Sequence, residues 1–158
     1  MKNCQIFIFT DLDGSLLNHN NFEFKEIKDF ILDCIKNGIK IIPNTSKTKS
    51  EIKVFIDQLG ENLPFIVENG AAIHNLDLVH RKLRFKNNSL VFSRSVNEIL
   101  ELFEKRIPIE LKKRCSFLKD MSSIEQMKIL GLNKKYLPFA LNREYSMPLV
   151  FDGSKELV

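Results

Sequence analysis

The chain has 158 residues, 44% hydrophobic and 28% charged, with a formal net charge of +4. That length holds one ordinary domain, or one domain and part of another, and the composition excludes an intrinsically disordered chain. The positive charge is spread along the sequence, not gathered into a basic stripe with interleaved aromatics, which excludes nucleic acid as an expected partner.

Cys4, Cys34 and Cys115 lie far apart and form no C-x-x-C pair. They read as reduced thiols in a cytoplasmic protein. The apolar residues before Asp11 are too few for a signal peptide, and no run approaches the ~20 apolar residues of a membrane span. No membrane partner is expected.

Taken in chain order, the first element is Ile6-Phe7-Ile8-Phe9, short, uncharged and β-favouring. With neither face polar, it reads as a strand buried on both sides. It ends in Thr10-Asp11-Leu12-Asp13-Gly14, at the strand end where open α/β sheets collect their chemistry. Leu12 points the other way from Asp11 and Asp13. Two carboxylates this close repel each other unless their charge is offset, and a hard divalent cation with oxygen ligands, Mg2+, is the natural partner. One aspartate can then attack a phosphoryl group while the other handles protons.

Asn18-His19-Asn20-Asn21 is turn-rich. Phe24, Ile27, Ile31, Cys34 and Ile35 then recur at helical spacing up to a stop at Asn37-Gly38. Ile39 to Pro43 reads as a second buried strand, the parallel neighbour of the first in a βαβ unit. Thr45, Ser46 and Lys47 follow it, just before a helix that Thr48-Lys49-Ser50-Glu51 opens as a capping box. Two hydroxyls and an ammonium beside a helix N-terminus form a phosphate cradle. Ile52, Phe55, Ile56 and Leu59 give that helix its inner face, and Gly60 stops it.

Phe65 to Val67 is a third strand, and Asn69-Gly70 between apolar runs signals a hairpin. His74 and His80 have no third ligand at metal spacing and read as surface residues. From about Lys82 the texture changes: Arg81 to Asn88 is basic and polar. Val96, Ile99, Leu100 and Phe103 mark a helix that breaks before Pro108. Ser122-Ser123-Ile124-Glu125 opens another, with Ile124, Met127 and Leu130 on one face and Gly131 closing it. Tyr136 to Phe139 and Met147 to Phe151 read as short, irregular or β-leaning pieces.

Several of these stretches resemble a known family. F-T-D-L-D-G-S-L-L resembles the first motif, D-x-D-G-[TS]-L-L, of the haloacid-dehalogenase-like (HAD) phosphatases. The resemblance implies a phosphoaspartate at Asp11, a general acid/base at Asp13, and Mg2+ held at both. P-N-T-S-K-T-K-S-E-I resembles the S-S-K-T-R-x-E segment of the mannosyl-3-phosphoglycerate phosphatase branch, which puts phosphate binding on Thr45, Ser46 and Lys47. P-F-I-V-E-N-G-A-A-I is similar to a third stretch of that branch, making Glu68 and Asn69 substrate-binding candidates. N-R-E-Y-S-M-P-L resembles its R-E-[AYW]-S-E-P-[LI] segment, and Arg143, whose fork suits an oxyanion, becomes the substrate-binding candidate there. Met147 stands where the branch usually has an acid.

The fold so implied is α/β, a HAD-like Rossmannoid parallel sheet core over residues 1–81 with an α+β cap inserted over 82–158. Only the N-terminal part of the family's extent is matched: neither its later lysine nor its G-D-x-x-N-D-type acidic motif is present. Losing one preorganised charge of that kind commonly costs on the order of 100- to 1000-fold in rate. The sheet is also expected to have an open edge through which chains can self-associate. The implied activity is Mg2+-dependent hydrolysis of mannosyl-3-phosphoglycerate to mannosylglycerate and phosphate. The alternatives are action on another phosphosugar, or a truncated, inactive domain.

Overall fold

A computed structural model describes residues 5–17, 24–79 and 85–152. Cys4, the turn at Asn18-His19-Asn20-Asn21, His80 and residues 81–84 lie outside the described residues. The chain forms two compact units, Met1–Ser93 and Arg94–Val158.

In the first unit, β1 (Phe7–Thr10) and β2 (Lys40–Pro43) pair in parallel, with Phe7 opposite Lys40 and Thr10 opposite Pro43. The helix α1 (Lys25–Lys36) connects them, so the expected βαβ unit is present. Ile31 and Cys34 of α1 are buried, as the periodicity requires. A second helix, α2 (Lys49–Leu59), starts at the Thr48 capping box, buries Ile52, Phe55, Ile56 and Leu59, and ends at Gly60 with φ 85°. That left-handed angle suits glycine and terminates the helix. The rings of Phe24 and Phe55 meet with centroids 4.8 Å apart.

Beyond α2, β3 (Phe65–Val67), β4 (Ala72–His74) and β5 (Ser89–Val91) form an antiparallel meander. A parallel bridge between Asn44 and Ile66 joins the end of β2 to β3. The result is the expected mixed α/β fold with a parallel sheet.

Two expectations for this unit are corrected. β1 is not buried on both sides: Phe9 is 61% and Ile8 38% exposed. The reason is positional: β2 occupies one edge, and among the described residues no strand occupies the other. Within this unit, which runs to Ser93, β5 pairs with β4. And His74 is not a surface residue. It is 2% exposed, lies against Phe65 with ring centroids 5.1 Å apart, and its Nδ1 is 2.7 Å from the Ser89 hydroxyl.

The second unit contains α3 (Val96–Arg106), α4 (Ile109–Lys112), β6 (Cys115–Phe117), α5 (Ser123–Leu130), α6 (Leu137–Leu141) and β7 (Leu149–Phe151). β6 and β7 pair antiparallel, and Phe103 meets Phe117 edge-on at 5.0 Å between centroids. Residues 137–141 are helical where a short, irregular or β-leaning piece was expected; Pro138 is in the first turn, where a proline costs no hydrogen bond. On α5 the apolar stripe does not form the buried face, since Ile124 is 75% exposed. The buried residue is Gln126, whose amide donates to the carbonyls of Leu118 at 3.0 Å and Lys119 at 3.4 Å. Among the described residues no helix is long and apolar enough to cross a membrane.

Capping boxes open both α3 and α5, through Ser95 with Glu98 and Ser122 with Glu125. Each glutamate's carboxyl lies below its ordinary value of 4.5, first because the serine hydroxyl hydrogen-bonds it and then because the backbone N–H does. A carboxyl whose folded value is depressed contributes stability above its unfolded value and loses it as pH falls through the folded one. Hydrogen-exchange protection in the first turns of α3 and α5 is therefore expected to hold above 4.5 and to fall below it. Protection unchanged down to about pH 3 would show that these boxes contribute nothing.

Candidate active site

The loop after β1 turns back on itself at once. Leu17 N–H donates to the Leu12 carbonyl at 2.7 Å, Gly14 N–H to the Leu17 carbonyl at 3.0 Å, and Gly14 has φ 72°. This winding sends Leu12 inward, 0% exposed, and leaves Asp11 exposed and Asp13 half-buried. Asp11 Oδ1 accepts the Leu12 N–H at 2.7 Å, which fixes the carboxylate's orientation at the strand end.

The loop after β2 lies alongside. Asn44 N–H donates to the Thr10 carbonyl at 2.8 Å, so the two strand ends are in register. Thr45 is 3% exposed, and its Oγ1 accepts the Lys47 N–H at 3.2 Å. Ser46 is exposed. The turn between β3 and β4 closes over this loop: Asn69 N–H donates to the Thr45 carbonyl at 3.1 Å and Glu68 N–H to the Lys47 carbonyl at 3.0 Å. Glu68, Asn69 and Gly70 all have left-handed backbone, φ 49°, 60° and 91°. Such angles cost a non-glycine residue on the order of 1 kcal/mol or more each and persist where surrounding structure enforces them, often at functional sites.

Between these three loops lies an open cleft of about 510 Å³, lined by Thr10, Asp11, Thr45, Ser46, Asn69 and Gly70 among others. The structure thus brings Asp11, Thr45, Ser46 and Asn69 to one cavity. Asp13 and Lys47 form a pair beside it, with Lys47 Nζ 3.0 Å from Asp13 Oδ1. Lys47 Nζ is also 3.6 Å from Glu51 Oε1. Glu68 is 4% exposed and belongs to the turn itself, not to the cleft wall. Arg143 lies in the second unit, where its Nη1 donates to the Ser146 hydroxyl at 2.8 Å and it lines a small hollow with Leu118 and Pro148.

Two residues escaped the sequence reading. Asn44 lines the cleft, and its only signal was its place directly after β2. Glu51 was read as a cap, although its i,i+4 spacing from Lys47 also suits an ion pair.

The donor set suits a hard cation. Asp11 and Asp13 offer oxygen ligands, and among the described residues no group of three or more His, Cys, Asp or Glu gathers for a metal. Mg2+ tolerates this, because it keeps several waters and uses one or two carboxylates together with substrate phosphate.

Comparison with known proteins decides the family. The model of the haloacid dehalogenase-like hydrolases matches residues 8–136, which include both aspartates, the loop after β2 and the turn after β3. The chain belongs to the haloacid dehalogenase-like hydrolases. This HAD-like chain is 31% identical over 156 residues to a glucosyl-3-phosphoglycerate/mannosyl-3-phosphoglycerate phosphatase of Persephonella marina, covering 95% of the chain and 56% of that protein. It is 28% identical over 160 residues to a mannosyl-3-phosphoglycerate phosphatase of Pyrococcus horikoshii, covering 94% of the chain and 61% of the relative. A solved structure of a Geobacillus kaustophilus protein matches 98% of this HAD-like chain and 60% of its own, at TM-score 0.60 and 16% identity, a likeness of fold. The chain spans less than two thirds of the length of these relatives.

Proposed function

We propose that this chain carries the site of a phosphatase that hydrolyses mannosyl-3-phosphoglycerate to mannosylglycerate and phosphate through a phosphoaspartate on Asp11. The observation that carries the reading is the convergence of Asp11, Thr45 and Ser46 on one cleft, with Asp13 at its side. The relatives named for this activity, matched along nearly the whole chain, support it.

In the first step an Asp11 carboxylate oxygen attacks phosphorus, the bond from phosphorus to the ester oxygen breaks, and Asp13 gives its proton to the departing glycerate oxygen. In the second, Asp13 takes a proton from water as the water oxygen attacks phosphorus and frees the Asp11 carboxylate. The Thr45 and Ser46 hydroxyls donate to the phosphoryl oxygens, and Asn69 at the rim orients the substrate. Asp11 and the Asp13 backbone, with water, would hold Mg2+, which would supply charge neutralisation for the phosphoryl group. Asp11 is oriented for attack by the Leu12 N–H, and Lys47 holds Asp13 in place. Residues 82–158 are the cap in this reading, and Arg143 there is its candidate for an oxyanion, since the guanidinium fork matches a planar carboxylate. The protein acts in the cytoplasm, where thiols stay reduced. The exposed edge of β1 is the surface for any self-association.

The test is phosphate release by the purified chain with Mg2+ from mannosyl-3-phosphoglycerate, beside glucosyl-3-phosphoglycerate and sucrose phosphate. Release from the mannosyl compound above the other two is expected. Faster release from another phosphosugar would reassign the substrate. A folded chain that releases none would be a phosphate-binding domain and not an enzyme.

A further inference from the structure

Glu51 does two things with one carboxylate. Oε2 accepts the Thr48 N–H at 2.9 Å, closing the capping box, while Oε1 lies 3.6 Å from the Lys47 ammonium. The other side of that ammonium is on Asp13 at 3.0 Å. Lys47 and Glu51 side chains are each only 12% exposed, so this is no solvated surface pair. The Glu51 carboxylate is held by the backbone N–H of Thr48, a residue that is fully buried. A long lysine side chain loses much rotamer freedom when held in one place. A fixed second carboxylate adds to its confinement beside Asp13.

We infer that Glu51 is a positioning residue of the site, coupling the start of α2 to the Lys47 ammonium and so keeping that ammonium on Asp13. It touches neither the cleft nor any reacting atom, and it acts through Lys47. The consequence for catalysis rests on the phosphatase reading above; the coupling itself does not.

Glu51→Gln separates the two jobs. Glutamine at this position still closes a capping box, but it carries no charge for Lys47. The readout is acetylation of the chain by limiting acetic anhydride, with the rate at Lys47 taken relative to Lys49 and Lys53 on the same helix. In Glu51→Gln the Lys47 ratio is expected to rise about threefold, the scale of one partly screened ion pair, with little change in melting temperature. In Thr48→Ala, which removes the cap and keeps Glu51, the melting temperature falls and the Lys47 ratio stays put. An unchanged ratio in Glu51→Gln overturns the inference, and so does an equal rise in Thr48→Ala, since that would mean general loosening of α2. Labelling needs no turnover, so a chain that proves inactive sinks the phosphatase reading and leaves this result standing.

Discussion

Phosphate release by the Asp11→Asn chain is expected to drop by at least about 10³-fold, to background, because on the proposed mechanism the substitution removes the attacking group itself. Asparagine is nearly the same shape as aspartate, and its carbonyl can still accept the Leu12 N–H that Asp11 Oδ1 accepts at 2.7 Å. The loop therefore stays folded, and an unchanged melting temperature separates lost chemistry from lost structure. What disappears is the negative charge to which the proposed mechanism gives the attack on phosphorus and a share in holding the cation. If Asp11→Asn kept wild-type release, the nucleophile would lie elsewhere and the assignment built on the end of β1 would fall. A loss in Asp13→Asn alone would point the same way.

Leu12→Ala is the corresponding stability prediction. This side chain is 0% exposed and sits between the two aspartates, so truncation removes its burial and leaves a cavity directly beneath the site. Leucine-to-alanine changes at fully buried positions cost about 3 kcal/mol. Urea denaturation should show the midpoint falling with the slope unchanged. A loss below about 1 kcal/mol would mean that the loop collapses onto the gap and that Leu12 does not anchor the aspartates. The same residue thus links core packing to the cleft: the winding that leaves Asp11 exposed and Asp13 half-buried drives Leu12 in.

How far the sequence could be read depended on how local each cause was. For α2, the box at Thr48 and Glu51, the buried face from Ile52 to Leu59 and the stop at Gly60 are all set within one helix, and each matches the structure. The parallel pairing of β1 with β2 followed from the length of the connection between them. The exposure of β1 was not legible, because burial of a strand depends on what lies beside it and not on its own residues. His74 misled for a similar reason, and the sequence did not single out Gln126. His74 Nδ1 is matched by Ser89, and the Gln126 amide by the carbonyls of Leu118 and Lys119, partners that only folding supplies. Around the cleft, the short motifs named Asp11, Asp13, Thr45, Ser46 and Lys47. The ion pairs tying Lys47 to Asp13 and Glu51 join a loop, a second loop and a helix, and only the first turn of that helix hinted at them.

The turn at Glu68-Asn69-Gly70 has a consequence for how the cleft opens. Its N–H groups are bonded to the carbonyls of Thr45 and Lys47, and the Thr45 N–H is bonded to Ile66. The loop after β2 thus takes its shape from residues of the β3–β4 hairpin. Proteins open locally in cooperative pieces, and here one piece contains both the hairpin and the hydroxyl loop. A fluctuation that parts the hairpin from the loop removes the support of Thr45, Ser46 and Lys47 together. The cleft is then lost as a whole, not residue by residue, and its lifetime is that of the hairpin.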